Sequence, residues 1–134
     1  MRLYWFFAAL IGALVLAFVH IWALDNFLYW QYRWLDTPMH LLGGITIAIF
    51  VIALLHSFRP LYFITIVIAV FVAWELFEAW LGINAPSGMS YAFDTAHDLA
   101  NDGIGAAIVY VLARFSIWKD TITTISASET ETTV

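Results

Sequence analysis

Four apolar runs, at about residues 3–24, 39–57, 61–81 and 95–118, take up most of this chain. A helix that crosses a bilayer needs roughly 20 mostly apolar residues, and each run is near that length. The chain has 134 residues, 63% of them hydrophobic, with a mean hydropathy of +0.88. A soluble domain of this size has too little interior to hide so much apolar surface. The expected fold is therefore all-α, an integral membrane four-helix bundle. Residues 1–119 would form the transmembrane domain and 120–134 a disordered polar tail, DTITTISASETETTV. The tail is Ser/Thr-rich and lacks aromatic residues. The first run is read as a retained helix rather than a signal peptide, because its core is long and no small-x-small site precedes Asp25. Cysteine is absent, which removes disulfides, thiolate metal sites and a Cys nucleophile.

Charge placement orients the helices. Arg2, Arg59, Arg114 and Lys119 flank one side, and Arg33 alone lies on the other. By the positive-inside rule both termini are cytoplasmic, in a multi-pass protein of the cell (inner) membrane. The loops 25–38 and 82–93 then face outward. Trp22, Tyr29, Trp30, Trp34 and Trp80 mark the outer boundary, and Tyr4, Trp5, Tyr62 and Trp118 the inner one. In the second run, Asp36 or Thr37 is expected to cap the helix and Pro38 to open it. Gly43, Gly44 and Ala48 offer one small-residue face, and Ala100, Gly103 and Ala107 a second.

Against this apolar background the acidic residues stand out. Asp36 and His40 are spaced i, i+4; Glu75 and Glu78 are spaced i, i+3; Asp94, Asp98 and Asp102 repeat every four residues, with His97 and Asn101 between them. At about 1.5 Å per residue, Glu75 lies roughly 9 Å below the outer end of its helix, and Asp102 about 12 Å below Asp94. All three sets thus reach the same depth in the outer half. A charged Asp at the centre of a spanning helix costs roughly 2.5–3.5 kcal/mol on insertion scales. Several of them facing lipid would consume much of the roughly 5–15 kcal/mol by which a domain is stable. Glu75, Glu78, Asp98 and Asp102 should therefore turn inward and meet. Crowded together they cannot all ionise unless a cation joins them. A metal ion, a shared proton or a cationic headgroup would each solve the problem, and His40, Glu75, Glu78 and Asp98 are the candidate metal ligands. His20 is an outlying candidate for the same cavity, and His56 is read as structural or interfacial.

The motifs D-x-x-x-H at Asp36–His40, W-E-L-F-E at Trp74–Glu78 and D-T-x-x-D-L-x-N-D-x-x-G-A from Asp94 resemble those of the YjdF-type inner-membrane proteins. That family is similar to the VanZ-like proteins, which carry a comparable Asp/His, Glu and Asp/Asn/Gly series. The resemblance covers about residues 34–107. Glu78 stands where VanZ-like proteins tend to have Gln, and no Arg directly precedes Asp94, so the YjdF-type pattern is the better fit. It implies a small multi-spanning membrane protein without an established activity; VanZ-like members are associated with glycopeptide resistance. The APSG stretch at 85–88 and the His97-x-x-x-Asn101-Asp102 spacing resemble type 2 phosphatidic acid phosphatases. Met89 replaces that family's histidine, and its cationic phosphate clamps are missing, so that reading fails.

Three functions remain open. One is a metal-dependent, membrane-embedded enzyme acting on an envelope lipid, with a divalent cation activating water or substrate. A second is passage of protons or a cation, against which the apolar inner halves of the helices argue. The third is a scaffold whose polar cluster pins helix register. Expected partners are the lipid bilayer and a lipid headgroup or another membrane protein, with no nucleic acid.

Overall fold

The computed structural model describes residues 3–55, 59–82 and 90–116. Arg2, His56, Met89, Trp118, Lys119, the Pro-Ser-Gly turn and the polar tail lie outside the described residues. Within them the chain is all helical: α1 (Leu3–Asp25), a single turn α2 (Leu28–Gln31), a 3-10 turn (Arg33–Leu35), α3 (Asp36–Leu54), α4 (Pro60–Leu81) and α5 (Tyr91–Ser116).

Local chemistry explains where these helices begin and end. Phe27 adopts the left-handed conformation, φ 55°, at the end of α1. That reversal returns Tyr29 against α1, where its hydroxyl hydrogen-bonds His20 Nδ1 at 2.8 Å. The 25–38 segment is thus a folded bracket and not a plain surface loop. The 3-10 turn runs directly into α3, which starts at Asp36, earlier than its apolar run. No side chain caps it, so the expected cap by Asp36 or Thr37 is not formed. Pro38 sits within the first turn, where its missing N–H has no intrahelical acceptor to lose. Pro60 opens α4, and Gly82, φ 70°, closes it with the left-handed residue that suits glycine. Helix α5 also begins early, at Tyr91. Ser90 caps it: the Phe93 N–H donates to Ser90 Oγ at 3.4 Å, and the Asp94 N–H donates to the Ser90 carbonyl at 3.1 Å. Asp94 therefore occupies the first turn, where its charge faces the positive helix end, and is not the cap itself.

Helix α3 is the centre of the molecule. Its most extensive partner is α5, then α1, with a smaller contact to α4. The α3–α5 pairing is a backbone approach. A Cβ on Gly44 would strike the Asp102 carbonyl and come within 2.8 Å of the Asp102 Cα; one on Gly105 would strike the Leu41 carbonyl. On the opposite side of α3, a Cβ on Gly12 of α1 would lie 2.8 Å from Thr46 Oγ1. The second small-residue face is not where the sequence spacing predicts it. Ala100, Gly103 and Ala107 are exposed, and a Cβ on Gly103 would meet nothing within 4 Å. The carboxylates turn α5 so that Asp98, Asp102, Gly105, Ala106 and Val109 face inward instead.

The apolar core lies towards the C-terminal half of α3. Val51 and Ile52 pack there with Phe63, Val67 and Phe71 of α4 and with Ala106, Val109 and Ala113 of α5. Helix α1 contributes little to it, burying only Ala9 and Ala23. By burial it is peripheral, although its contact with α3 is more extensive than that of α4. Three stretches are long and apolar enough to cross a membrane: Leu3–Asp25, Arg33–Leu54 and Pro60–Leu81. Half of the window in α3 is buried, against 11% in α1 and 22% in α4, so the outer faces of α1 and α4 stay bare and apolar. Helix α5, read from sequence as a fourth span, has 26 residues and ample length. Its acidic first half keeps it from qualifying on composition.

Candidate functional site

His40 lies one turn into α3, buried to 7% exposure, and carboxylates approach it from its own helix and from α5. Its Nδ1 donates to Asp102 Oδ2 at 3.4 Å. That bond orients the ring and leaves Nε2 facing the other two acids. Asp36 Oδ1, one turn earlier, is 3.7 Å from Nε2, and Asp98 Oδ1 is 3.8 Å from it. The close α3–α5 approach at Gly44 and Gly105 lets Asp98 and Asp102 reach across.

Helix α4 supplies the remaining acids. His40, Glu75 and Glu78 offer atoms within 4.8 Å of one another, as do Asp36, His40 and Asp98. The two sets share His40. Together they contain the four candidate ligands read from sequence and add Asp36. Glu75 is 5% exposed and Asp98 2%, yet Glu75 Oε1 and Asp98 Oδ1 have no hydrogen-bond partner. A buried acceptor left unpaired costs about 1–3 kcal/mol, more when charged. Thr95, whose hydroxyl is also buried, lies next to the Glu75 carboxyl and is the group placed to donate to it.

The other sequence candidates go elsewhere. His97 is 45% exposed by side chain; its Nδ1 is 3.2 Å from Asn101 Nδ2 and 3.5 Å from Asp98 Oδ1. Asn101 thus turns to His97 on the flank of α5 and not towards His40. Asp94 is half-buried at the start of α5. Several supporting residues escaped the sequence reading. Trp74 Nε1 donates to Glu78 Oε1 at 2.9 Å, and the Tyr91 hydroxyl donates to the Glu75 carbonyl at 3.0 Å. An i, i+4 Trp–Glu pair is a detectable spacing; the Tyr91 bond bridges two helices and has no local signal. Burial, with Asp36 and Glu78 nearby, pushes the Tyr29 hydroxyl up to about 12, so it keeps its proton.

Beside this cluster a cavity of about 680 Å³ runs between α1 and α4 with α3 as its floor. His20, Tyr29, Asp36, His40, Glu78 and Asp102 line one end of it; small and aliphatic side chains of α1, α3 and α4, with the aromatic Phe71, Trp74 and Phe77, line the rest. Asp98 and Glu75 are not on its wall and stand behind His40.

The distances decide what this arrangement can do. Separations of 3.7 and 3.8 Å are too long for hydrogen bonds. Donor atoms that share an ion at about 2.0–2.2 Å stand up to about 4 Å apart. The second shell has the form common at metal-binding histidines, with one ring nitrogen held by a carboxylate and the other presented. One imidazole with several carboxylates and no thiolate suits a hard or borderline divalent ion, Mn²⁺ or Zn²⁺ respectively. No family model, curated protein or solved structure matches the chain.

Proposed function

We propose that this chain is a small multi-pass membrane protein that holds a divalent cation at His40, with Asp36, Glu75, Glu78 and Asp98 as the ligand set and Asp102 orienting the ring. One observation carries the reading: Asp98 Oδ1 is buried without a hydrogen-bond partner while standing 3.8 Å from a presented His40 nitrogen. An ion between Asp36, His40 and Asp98 would satisfy it, and Glu75 and Glu78 reach the same histidine from α4. A four-span bundle with cytoplasmic termini accounts for the exposed apolar faces, because α5 turns its acids inward to His40 and leaves Ile104, Ile108, Val111 and Leu112 outward. The site then opens to the outer half of the cell membrane, in keeping with the resemblance of the motifs to the YjdF-type group. A bound cation with open positions would polarise a lipid headgroup or activate water. Passage of ions is disfavoured, since the core beyond Asp102 is apolar among the described residues.

Metal analysis of the purified chain, paired with thermal unfolding in detergent, tests this. At a cation concentration of 100 times its Kd, binding to the native state alone stabilises by about 2.7 kcal/mol. Glu75→Gln and Asp98→Asn should abolish that response to Mn²⁺ or Zn²⁺, and Asp94→Asn should only weaken it. The competing scaffold reading rests on the His40–Asp102 bond, which ties α3 to α5 beside their close approach at Gly44 and Gly105. Melting curves that are the same in every ion for wild type and both variants would leave that reading standing.

A further inference from the structure

The cavity beside His40 is polar at one end only. From Asp36 to Ile47, both on its wall, α3 rises roughly 16 Å. Over that length the lining passes from the acids and His20 to Leu16, Ile47, Val70 and Phe71. It exists because small side chains face each other: Ala13 and Ala17 on α1, Gly43 on α3 and Ala73 on α4. Helices α1 and α4 form no packed interface with one another, so the slot is bounded by the same two helices whose bare faces are apolar. Its volume of about 680 Å³ falls in the range of roughly 300–1,000 Å³ found for small-molecule sites. The occupant must be slender, apolar along most of its length and polar at one end.

We infer that the slot binds one phospholipid, with an acyl chain between α1 and α4 and the headgroup phosphate on the cation held at His40. This rests on the cation reading above. Asp36, His40 and Glu78 lie on the cavity wall, whereas Asp98 and Glu75 back them from behind. An ion gripped from behind therefore presents its open positions to the slot. The cation is favoured by charge: a phosphate at that end would face the carboxylates of Asp36, Glu78 and Asp102, and beside the imidazoles of His20 and His40 only Arg33 is basic there among the described residues.

The test is native mass spectrometry of the full chain in detergent, first with Mn²⁺ or Zn²⁺ alone and then with phosphatidylglycerol or a diacylglycerol of the same chains. Wild type should bind the cation and retain a single phosphatidylglycerol. Ala17→Trp on α1 and, independently, Ala73→Phe on α4 fill the slot from its two walls. Each should lower phosphatidylglycerol retention about tenfold, some 1.4 kcal/mol, with the cation still bound and helicity unchanged. Chelation should lower phosphatidylglycerol retention about as much while leaving the diacylglycerol unaffected. Wild-type retention in both filled variants, cation bound, overturns the slot as the lipid site and spares the cation reading. Phosphatidylglycerol retention indifferent to chelation overturns the phosphate–cation contact. A wild-type chain that binds neither ion before lipid is added removes the cation reading and this inference with it.

Discussion

The two halves of α3 have opposite chemistry. Beyond Ala48, Val51 and Ile52 are sealed between α4 and α5, fully apolar and below 3% exposure. Before Gly43, His40 gathers acids from α4 and α5, two of them with buried unpaired oxygens, beside an open cavity. The close-packed end holds the helices together by ordinary burial. The polar end can then keep an arrangement that is unfavourable unless something binds. Close apolar packing and polar clustering are separated along one helix, with Gly44 and Gly105 as the joint.

That separation is open to direct attack. The largest effect is expected from Gly44→Leu, which drives a side chain into the Asp102 backbone. Ordinary overpacking costs about 1–3 kcal/mol; here backbone stands in the way, so a loss above that range is expected, with thermal unfolding as the readout. Next is His40→Ala, which strands buried carboxylates. Removing one partner of a buried ionic group costs about 3–5 kcal/mol, and the cation response should disappear as well. Ile52→Ala should cost about 2–5 kcal/mol through the cavity it leaves, yet preserve the full rise in melting temperature on adding Mn²⁺ or Zn²⁺. Equal loss of that response in both variants would mean that the two ends are one cooperative unit. Gly103→Leu, on the open face of α5, should shift stability by no more than about 0.5 kcal/mol. A larger destabilisation would show that this face is packed against something.

Run lengths and acid spacing were enough to read an all-helical chain and to name the residues that surround His40. Periodicity carries that information: i, i+4 pairs share a helix face, and burying charge in an apolar setting requires a partner. The same logic placed Asn101 with the acids and passed over Thr95; the two lie about 60° to either side of Asp98, so the rotation of α5 decides which one faces Glu75. It also chose the wrong small residues on α5. Ala100, Gly103 and Ala107 form as regular a stripe as any, but only the paired close approach of Gly44 and Gly105 decides which stripe is inside. The early starts of α3 and α5 depended on a 3-10 turn and on Ser90, local features weaker than the apolar signal.

By itself, then, the sequence determined which segments are helical and which acidic residues cannot be left facing an apolar solvent, since both follow from local spacing and solvation. Only the tertiary structure decided that His40 presents Nε2 with Asp102 behind it, that Tyr29 folds back to His20, and that α1 and α4 stand apart around a cavity. Those depend on the rotation and separation of helices distant in the chain, which are set by where backbones can touch.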